Sequence, residues 1–132
     1  MQTFLYFNGF TGILRPSCLA LHTMAHPDTE LVLVLTTVPL DLNVEELVWP
    51  LLEGRLAACV NVLPPMRSIY RWQGGIETAD ERQVLIKTTR GRLAELQSSL
   101  SARHPYEVPE FLVLPVADGS PAYLGWLRSE TA

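Results

Sequence analysis

Three side chains of metal-binding type lie far apart in this chain: Cys59 in "AACVN", Glu81 in "ETADE" and His104 in "HPYEVPE". A cysteine thiolate is a soft ligand for Cu(I), an imidazole suits Cu(II) and Zn²⁺, and a carboxylate adds negative charge. Neither Cys59 nor His104 belongs to a Cys-x-x-Cys or His-x-x-x-His pair. A metal site that combines His104 with carboxylates such as Glu81 is therefore predicted to be open and of modest affinity.

Each of these residues also has a purely structural use. Free cysteine is among the most buried residue types, so packing alone accounts for Cys59. A histidine at a helix end commonly caps carbonyl groups, and His104 stands where a helix should end. Glu81 and Lys87 lie six residues apart on one predicted strand, so they share a face. They either form an ion pair, within or between subunits, or contribute to a binding cleft.

A second group combines aromatic rings with charged side chains. A cleft for a small anionic ligand or a metal ion would draw on Tyr70, Trp72, Lys87, Tyr106, Glu107 and Glu110. If the cleft binds a metal ion, carboxylates such as Glu81 would coordinate it together with His104, and neighbouring subunits would supply some of these ligands. The alternative is that the rings pack at a subunit contact, where aromatic residues are enriched.

The sequence has no recognisable catalytic set. It contains no Gly-x-Ser-x-Gly, no His-Glu-x-x-His and no phosphate-binding loop. We therefore expect a binding protein and not an enzyme, and we expect no organic cofactor.

Composition narrows the class of protein further. The chain has 132 residues, 48% of them hydrophobic and 18% charged, which is typical of one folded domain. Its net charge of -4 is the wrong sign for a general nucleic-acid binder. Two cysteines are too few for a disulfide scaffold, which favours a reducing compartment and a cytoplasmic location.

The N-terminal segment differs from the rest of the chain. Residues 1–24 are apolar and aromatic, with Arg15 as the only charge, and Pro16 interrupts the apolar run. A secretory signal would begin with basic residues, and a membrane-spanning helix needs a longer unbroken apolar stretch. We predict that residues 1–29 are a leader or extension of uncertain origin, followed by a domain over 30–132. Export or anchoring by the segment is the alternative to a cytoplasmic location.

Beyond this segment the pattern predicts regular elements. Strands are predicted over 30–38, 57–73, 76–89 and 110–116, and helices over 42–56, 90–104 and 120–130. Asn43 or Asp41 should cap the first helix and Ser120 the last. Pro50 should kink the first helix. Pro64 and Pro65 should place a bulge in the second strand, because proline cannot donate to a β-ladder.

The glycine pair Gly74-Gly75 predicts a two-residue hairpin turn between the second and third strands. This turn would place Gln73 opposite Ile76 and Tyr70 opposite Ala79. The order strand–helix–strand–strand–helix–strand, with right-handed crossovers, then predicts an α+β ferredoxin-like βαββαβ sandwich. It would have a long β2–β3 hairpin and a C-terminal helix.

Two helices can cover only one face of such a sheet. A second face that carries Ile69, Val84, Ile86 and Leu112 should be too apolar to remain in water. We therefore expect the chain to associate with copies of itself and to interact with neither membrane nor nucleic acid.

Three stretches, "EGRLAACVNVLPPMRSIYRWQGGIE", "IKT" and "HPYEVPE…YLGW", resemble the CutA family of divalent-cation tolerance proteins. The resemblance covers residues 31 to about 128. It implies a fold similar to that of PII signalling proteins, a tight homotrimer built through sheet edges and the long hairpin, and a role in tolerance to copper and other divalent ions. The matching cysteine, Cys59, is discussed for copper in that family. Trp49-Pro50 and residues 1–24 depart from the family pattern.

The function expected from this resemblance is weak binding of copper or another divalent ion by a homotrimer. The alternative is a PII-like regulatory or scaffold trimer that binds a small anion or a protein partner in clefts between subunits.

Overall fold

The computed structural model describes residues 27–132, so the predicted leader lies outside the described residues except for its last three positions. The elements are β1 (Leu31–Pro39), α1 (Val44–Glu53), β2 (Cys59–Trp72), β3 (Gly75–Thr89), a 3₁₀ turn (Arg90–Arg92), α2 (Leu93–Arg103), β4 (Leu112–Pro115) and α3 (Pro121–Glu130).

The four strands form one antiparallel sheet in the order β2–β3–β1–β4. Strand β1 lies between β3 and β4, and the long β2–β3 hairpin continues past the end of β1. This arrangement confirms the predicted α+β ferredoxin-like sandwich with its long hairpin and C-terminal helix.

The core lies between α1, α2 and one face of the sheet. Alternate residues of a strand point to opposite faces, and the even-numbered residues of β1 and β3 point toward the helices. The fully buried sheet residues Val34, Val38, Val84 and Ile86 pack with Leu47 and Leu51 of α1 and with Leu96 and Leu100 of α2. Burial of each such side chain contributes about 1.5–3 kcal/mol to folding.

The opposite face of the sheet is here called the open face, and among residues 27–132 the helix that contacts it is α3, near Lys87. The open face carries five leucines: Leu33 and Leu35 of β1, Leu85 of β3, and Leu112 and Leu114 of β4. Leu112 and Leu114 are 55% and 43% exposed. The expectation that Val84 and Ile86 share a face with Leu112 is wrong, because Ile86 pairs with Val34 whereas Leu112 pairs with its neighbour Leu35.

Local sequence signals set the ends of the first and last helices. The Asn43 side chain accepts a hydrogen bond from the Glu45 amide at 3.2 Å, and Ser120 accepts one from the Tyr123 amide at 3.3 Å. Both predicted caps are confirmed. Pro50 lies inside α1 without ending it, since the helix continues to Glu53.

The predicted bulge in β2 is confirmed. Val62 pairs with Val84 and Pro65 with Arg82, so two β2 residues oppose the single residue Gln83. The extra residue changes which side chains of β2 point to the open face. Cys59 does so before the bulge, and the even-numbered residues Met66 to Trp72 do so after it.

The hairpin turn lies one residue earlier than predicted. Its two central residues are Gln73 and Gly74, with φ of 47° and 83°, and Trp72 pairs with Gly75. Tyr70 therefore faces Glu77 and not Ala79. Positive φ at both central positions matches the right-handed twist of the flanking strands, and Gly74 meets this requirement without strain.

This turn gives a matched pair of glycine substitutions. We expect Gly74→Ala to lower the free energy of unfolding by about 1 kcal/mol, because alanine at positive φ is strained. A Cβ at Gly74 would meet nothing within 4 Å, so the cost would arise from the backbone alone. Denaturant unfolding at a fixed protein concentration measures it.

Gly75→Ala is the control. Gly75 has no positive φ, and a Cβ there would lie at an ordinary 3.8 Å from the Trp72 carbonyl oxygen. Equal losses of stability in the two variants would contradict the assignment of the turn.

Candidate functional site

A cavity of about 710 Å³ lies on the open face where the hairpin leaves the body of the sheet. Strands β2 and β3 form its floor, and the loop between α2 and β4 forms one side. Its lining comprises Thr37, Met66, Ser68, Tyr70, Trp72, Ala79, Glu81, Gln83, Pro105, Tyr106, Glu107, Val108 and Glu110. Five of the six residues predicted for the cleft are therefore close together, and Lys87 is the exception.

Glu81 is the most buried acid of this cavity, with 6% of its surface exposed. The Tyr106 hydroxyl donates a hydrogen bond to Glu81 Oε2 at 2.7 Å. Burial, followed by the contact with Glu81, raises the pKa of Tyr106 well above its usual range. The phenol thus keeps its proton at neutral pH and remains a donor to the carboxylate.

A second carboxylate is held by an amide. Gln83 Nε2 donates to Glu110 Oε2 and to the Thr36 carbonyl oxygen, each at 2.8 Å. Gln83 therefore ties the start of β4 to β1 and fixes the Glu110 carboxylate at the cavity. The sequence analysis missed Gln83, although its position two residues from Glu81 places it on the same face.

His104 is 8% exposed and holds the loop in place. Its Nδ1 accepts a hydrogen bond from the Tyr106 amide at 3.0 Å, and its Nε2 lies 2.8 Å from the Thr37 carbonyl oxygen. A carbonyl oxygen only accepts, so Nε2 carries the proton. A metal role for His104 stays a prediction, and it would require breaking one of these bonds.

Cys59 and Lys87 lie at the other end of the open face. They pair across β2 and β3, and Lys87 is six residues from Glu81, roughly 20 Å along the strand. Lys87 Nζ donates to the Tyr123 hydroxyl at 3.2 Å, and this bond raises the pKa of Lys87. Glu81 and Lys87 thus share a face, as predicted, but are too far apart to pair within one chain.

The cavity formed by one chain is acidic. Glu81, Glu107 and Glu110 line it, and no Lys or Arg among residues 27–132 does. This charge does not favour the anionic ligand predicted for the cleft. Within residues 27–132, no three His, Cys, Asp or Glu side chains are close enough together to hold a metal ion, so Cys59, Glu81 and His104 do not form a joint site in one subunit. No helix in that range is long and apolar enough to span a bilayer.

Residues 32–130 match the family model described as CutA1 divalent ion tolerance protein. The divalent-cation tolerance protein CutA of Thermus thermophilus is 46% identical over 98 residues, which cover 74% of this chain and 95% of that protein. Protein CutA 1, chloroplastic, of rice is 35% identical over 130 residues, covering 97% of this chain and 73% of that protein. This second alignment extends into the N-terminal segment, for which no family counterpart was expected.

Solved structures of CutA proteins are similar to this chain in fold. The Thermus thermophilus Cut A1 structure has a TM-score of 0.74 at 44% identity and covers 77% of this chain and 99% of its own. A structure from Archaeoglobus fulgidus, described as a periplasmic divalent cation tolerance protein CutA, has a TM-score of 0.73 at 31% identity, with the same coverage of both chains.

The contact between Tyr106 and Glu81 can be tested by removing one oxygen atom. We expect Tyr106→Phe to lower the free energy of unfolding by about 1–3 kcal/mol, because the buried Glu81 carboxylate loses its donor. Tyr106 has a raised pKa in the folded state, so its contribution is complete below about pH 10, the pKa of an unfolded tyrosine, and falls above it. The wild type should therefore lose more stability than Tyr106→Phe as the pH rises above this value.

Tyr70→Phe is the matched control, since Tyr70 lines the same cavity but is exposed. We expect its stability to equal that of the wild type in denaturant unfolding at pH 7. A loss in Tyr70→Phe as large as that in Tyr106→Phe would show that Glu81 is not the cause.

Proposed function

This chain belongs to the CutA1 divalent ion tolerance family, and from this premise we propose that it acts as a homotrimer that binds divalent cations weakly on the open face of its sheet. The role is one of binding and not of catalysis. The observation that carries the proposal is the acidic cavity around Glu81.

The apolar open face supports self-association. Leu112 and Leu114 are exposed in the isolated chain, next to Leu33, Leu35 and Leu85, and they form a continuous leucine surface. Contiguous apolar patches of this kind mark protein–protein contacts. Strands β2 and β4 are both sheet edges, so neighbours have main-chain groups to pair with as well.

The carboxylates of the cavity support cation binding. Glu81 and Glu110 are held in place by Tyr106 and Gln83, so they present negative charge without a further ordering cost. One chain supplies fewer than three suitably placed ligands among residues 27–132, and water or a neighbouring subunit would complete the coordination. Incomplete protein coordination accounts for weak binding.

The type of ligand atom, oxygen or sulfur, determines which ions a site prefers. Carboxylate oxygens suit Mg²⁺, Ca²⁺ and Mn²⁺ better than Cu(I), which prefers a thiolate. A copper ion would instead contact the half-buried Cys59, at the far end of the open face. We propose a cytoplasmic location because a reducing compartment preserves the free thiol of Cys59. The rice and Archaeoglobus relatives are described as chloroplastic and periplasmic.

Light scattering tests the assembly. We expect a mass of about three times the 14.8 kDa of one chain. Leu112→Glu should shift the protein to a lower mass, because a charge on the open face is costly to bury. Trp49→Glu is the control, since Trp49 is 61% exposed but lies on α1, away from that face. A monomeric wild type, or dissociation of both variants, would contradict the proposal.

Calorimetric titration with Mn²⁺, Zn²⁺ and Cu²⁺ tests the ligands. We expect Glu81→Gln and Glu110→Gln each to weaken binding by about tenfold, which corresponds to ~1.4 kcal/mol. Glutamine keeps the oxygen that accepts from Tyr106 or Gln83, so the fold should persist. Glu53→Gln, on the exposed end of α1, should bind as the wild type does.

Two further variants complete the metal titration. His104→Ala should weaken Mn²⁺ binding less than Glu81→Gln does, because His104 positions Tyr106 and is not itself a ligand. Cys59→Ala should lose only the binding of thiophilic ions. Unchanged affinity in both glutamate variants, together with loss in His104→Ala, would overturn the assignment of the ligands.

A further inference from the structure

The cavity on the open face is much larger than a metal ion requires. Its volume of about 710 Å³ lies in the range of roughly 300–1,000 Å³ that is usual for small-molecule sites. A hydrated divalent ion would fill a small part of it. The remaining space has room for an organic molecule. The residues that line the cavity indicate what kind of molecule would bind.

One end of the cavity is acidic and the other is aromatic. The end next to α2 and β4 carries the three carboxylates, Glu81, Glu107 and Glu110. The end toward the hairpin tip carries the rings of Tyr70 and Trp72. The strand positions from Glu81 to the partner of Tyr70 span four residues, roughly 13 Å. A ligand that uses both ends therefore needs a charged head and an extended apolar tail.

The acidic end suits a primary ammonium group. An ammonium group carries three N–H donors, and this end presents two carboxylates already oriented by Tyr106 and Gln83. In the described part of the chain no Lys or Arg lines the cavity, so a negatively charged head would be repelled there.

The aromatic end suits an apolar chain. Within residues 27–132, the ring pairs in contact are His104–Tyr106 and Tyr123–Trp126, so Tyr70 and Trp72 do not stack on each other. Trp72 remains 49% exposed in the isolated chain. In one chain its indole face can therefore contact a hydrocarbon chain or the cationic end of a second amine.

From this polarity we propose that the cavity binds a primary amine with an apolar tail, its ammonium group at Glu81 and Glu110 and its tail along Tyr70 and Trp72. The proposal rests on the proposed function in one respect, because the same carboxylates would hold the metal ion. It differs in requiring the aromatic end, which a metal ion does not touch.

Three probes with six carbon atoms and different head groups test the proposal on the intact oligomer: hexylamine, 1-hexanol and hexanoate. We expect calorimetry to show binding of hexylamine about tenfold or more tighter than that of hexanol, because only the ammonium group forms charge-assisted hydrogen bonds. Hexanoate should not bind. Equal affinities for hexylamine and hexanol would overturn the proposal, as would no binding of hexylamine because a neighbouring subunit fills the cavity.

Variants separate the proposal from the metal site. Trp72→Ala should weaken the binding of hexylamine by about fivefold or more, since it removes apolar contact with the tail, and it should leave Mn²⁺ affinity unchanged. Glu81→Gln should weaken the binding of both hexylamine and Mn²⁺. Trp49→Ala, on the outer surface of α1, is the matched control and should weaken neither.

The two proposals can fail independently. Mn²⁺ binding without hexylamine binding would overturn the amine site alone, and hexylamine binding without Mn²⁺ binding would overturn the metal function alone. A loss of hexylamine affinity in Trp49→Ala equal to that in Trp72→Ala would also contradict the amine site. Circular dichroism and light scattering on each variant show whether fold and assembly are intact.

Discussion

The packing of α1 and α2 against a single face of the sheet is the constraint on which the other features depend. Leu51 and Leu100 fill the space over Val84 and Ile86, and this uses the two helices of the βαββαβ unit. The C-terminal helix α3 contacts β1 and β3, and its Tyr123 hydroxyl accepts a hydrogen bond from Lys87. The opposite face keeps Leu112 and Leu114 exposed, and the residues of the candidate site lie on that face or on the loop beside it.

The proline bulge decides which side chains reach this face. A regular β2 strand would point Tyr70 and Trp72 to the side opposite Cys59, because they are an odd number of residues away from it. The extra residue opposite Gln83 shifts this alternation by one. The aromatic rings consequently join the acids of β3 on one surface, and the cavity gains an apolar end.

The loop after α2 positions the carboxylates of the site through hydrogen bonds. His104 bonds to the Tyr106 amide and to the Thr37 carbonyl group, and Tyr106 in turn bonds to Glu81. Together with the bond from Gln83 to Glu110, these contacts hold two carboxylates at fixed positions beside the sheet. The histidine that was predicted as a metal ligand thus has a clear structural use, as one link in this chain of contacts.

Periodicity, helix caps and turn residues act over a few neighbouring positions, so they predict the elements and the fold class without knowledge of distant contacts. Asn43, Ser120 and the proline pair behave as predicted for this reason. Which distant residues meet depends on how the whole chain folds. A hairpin turn shifted by one residue gave Tyr70 a different partner, and long-range packing brought Gln83 to Glu110. Contacts of this kind depend on register and loop path, which local propensities do not encode.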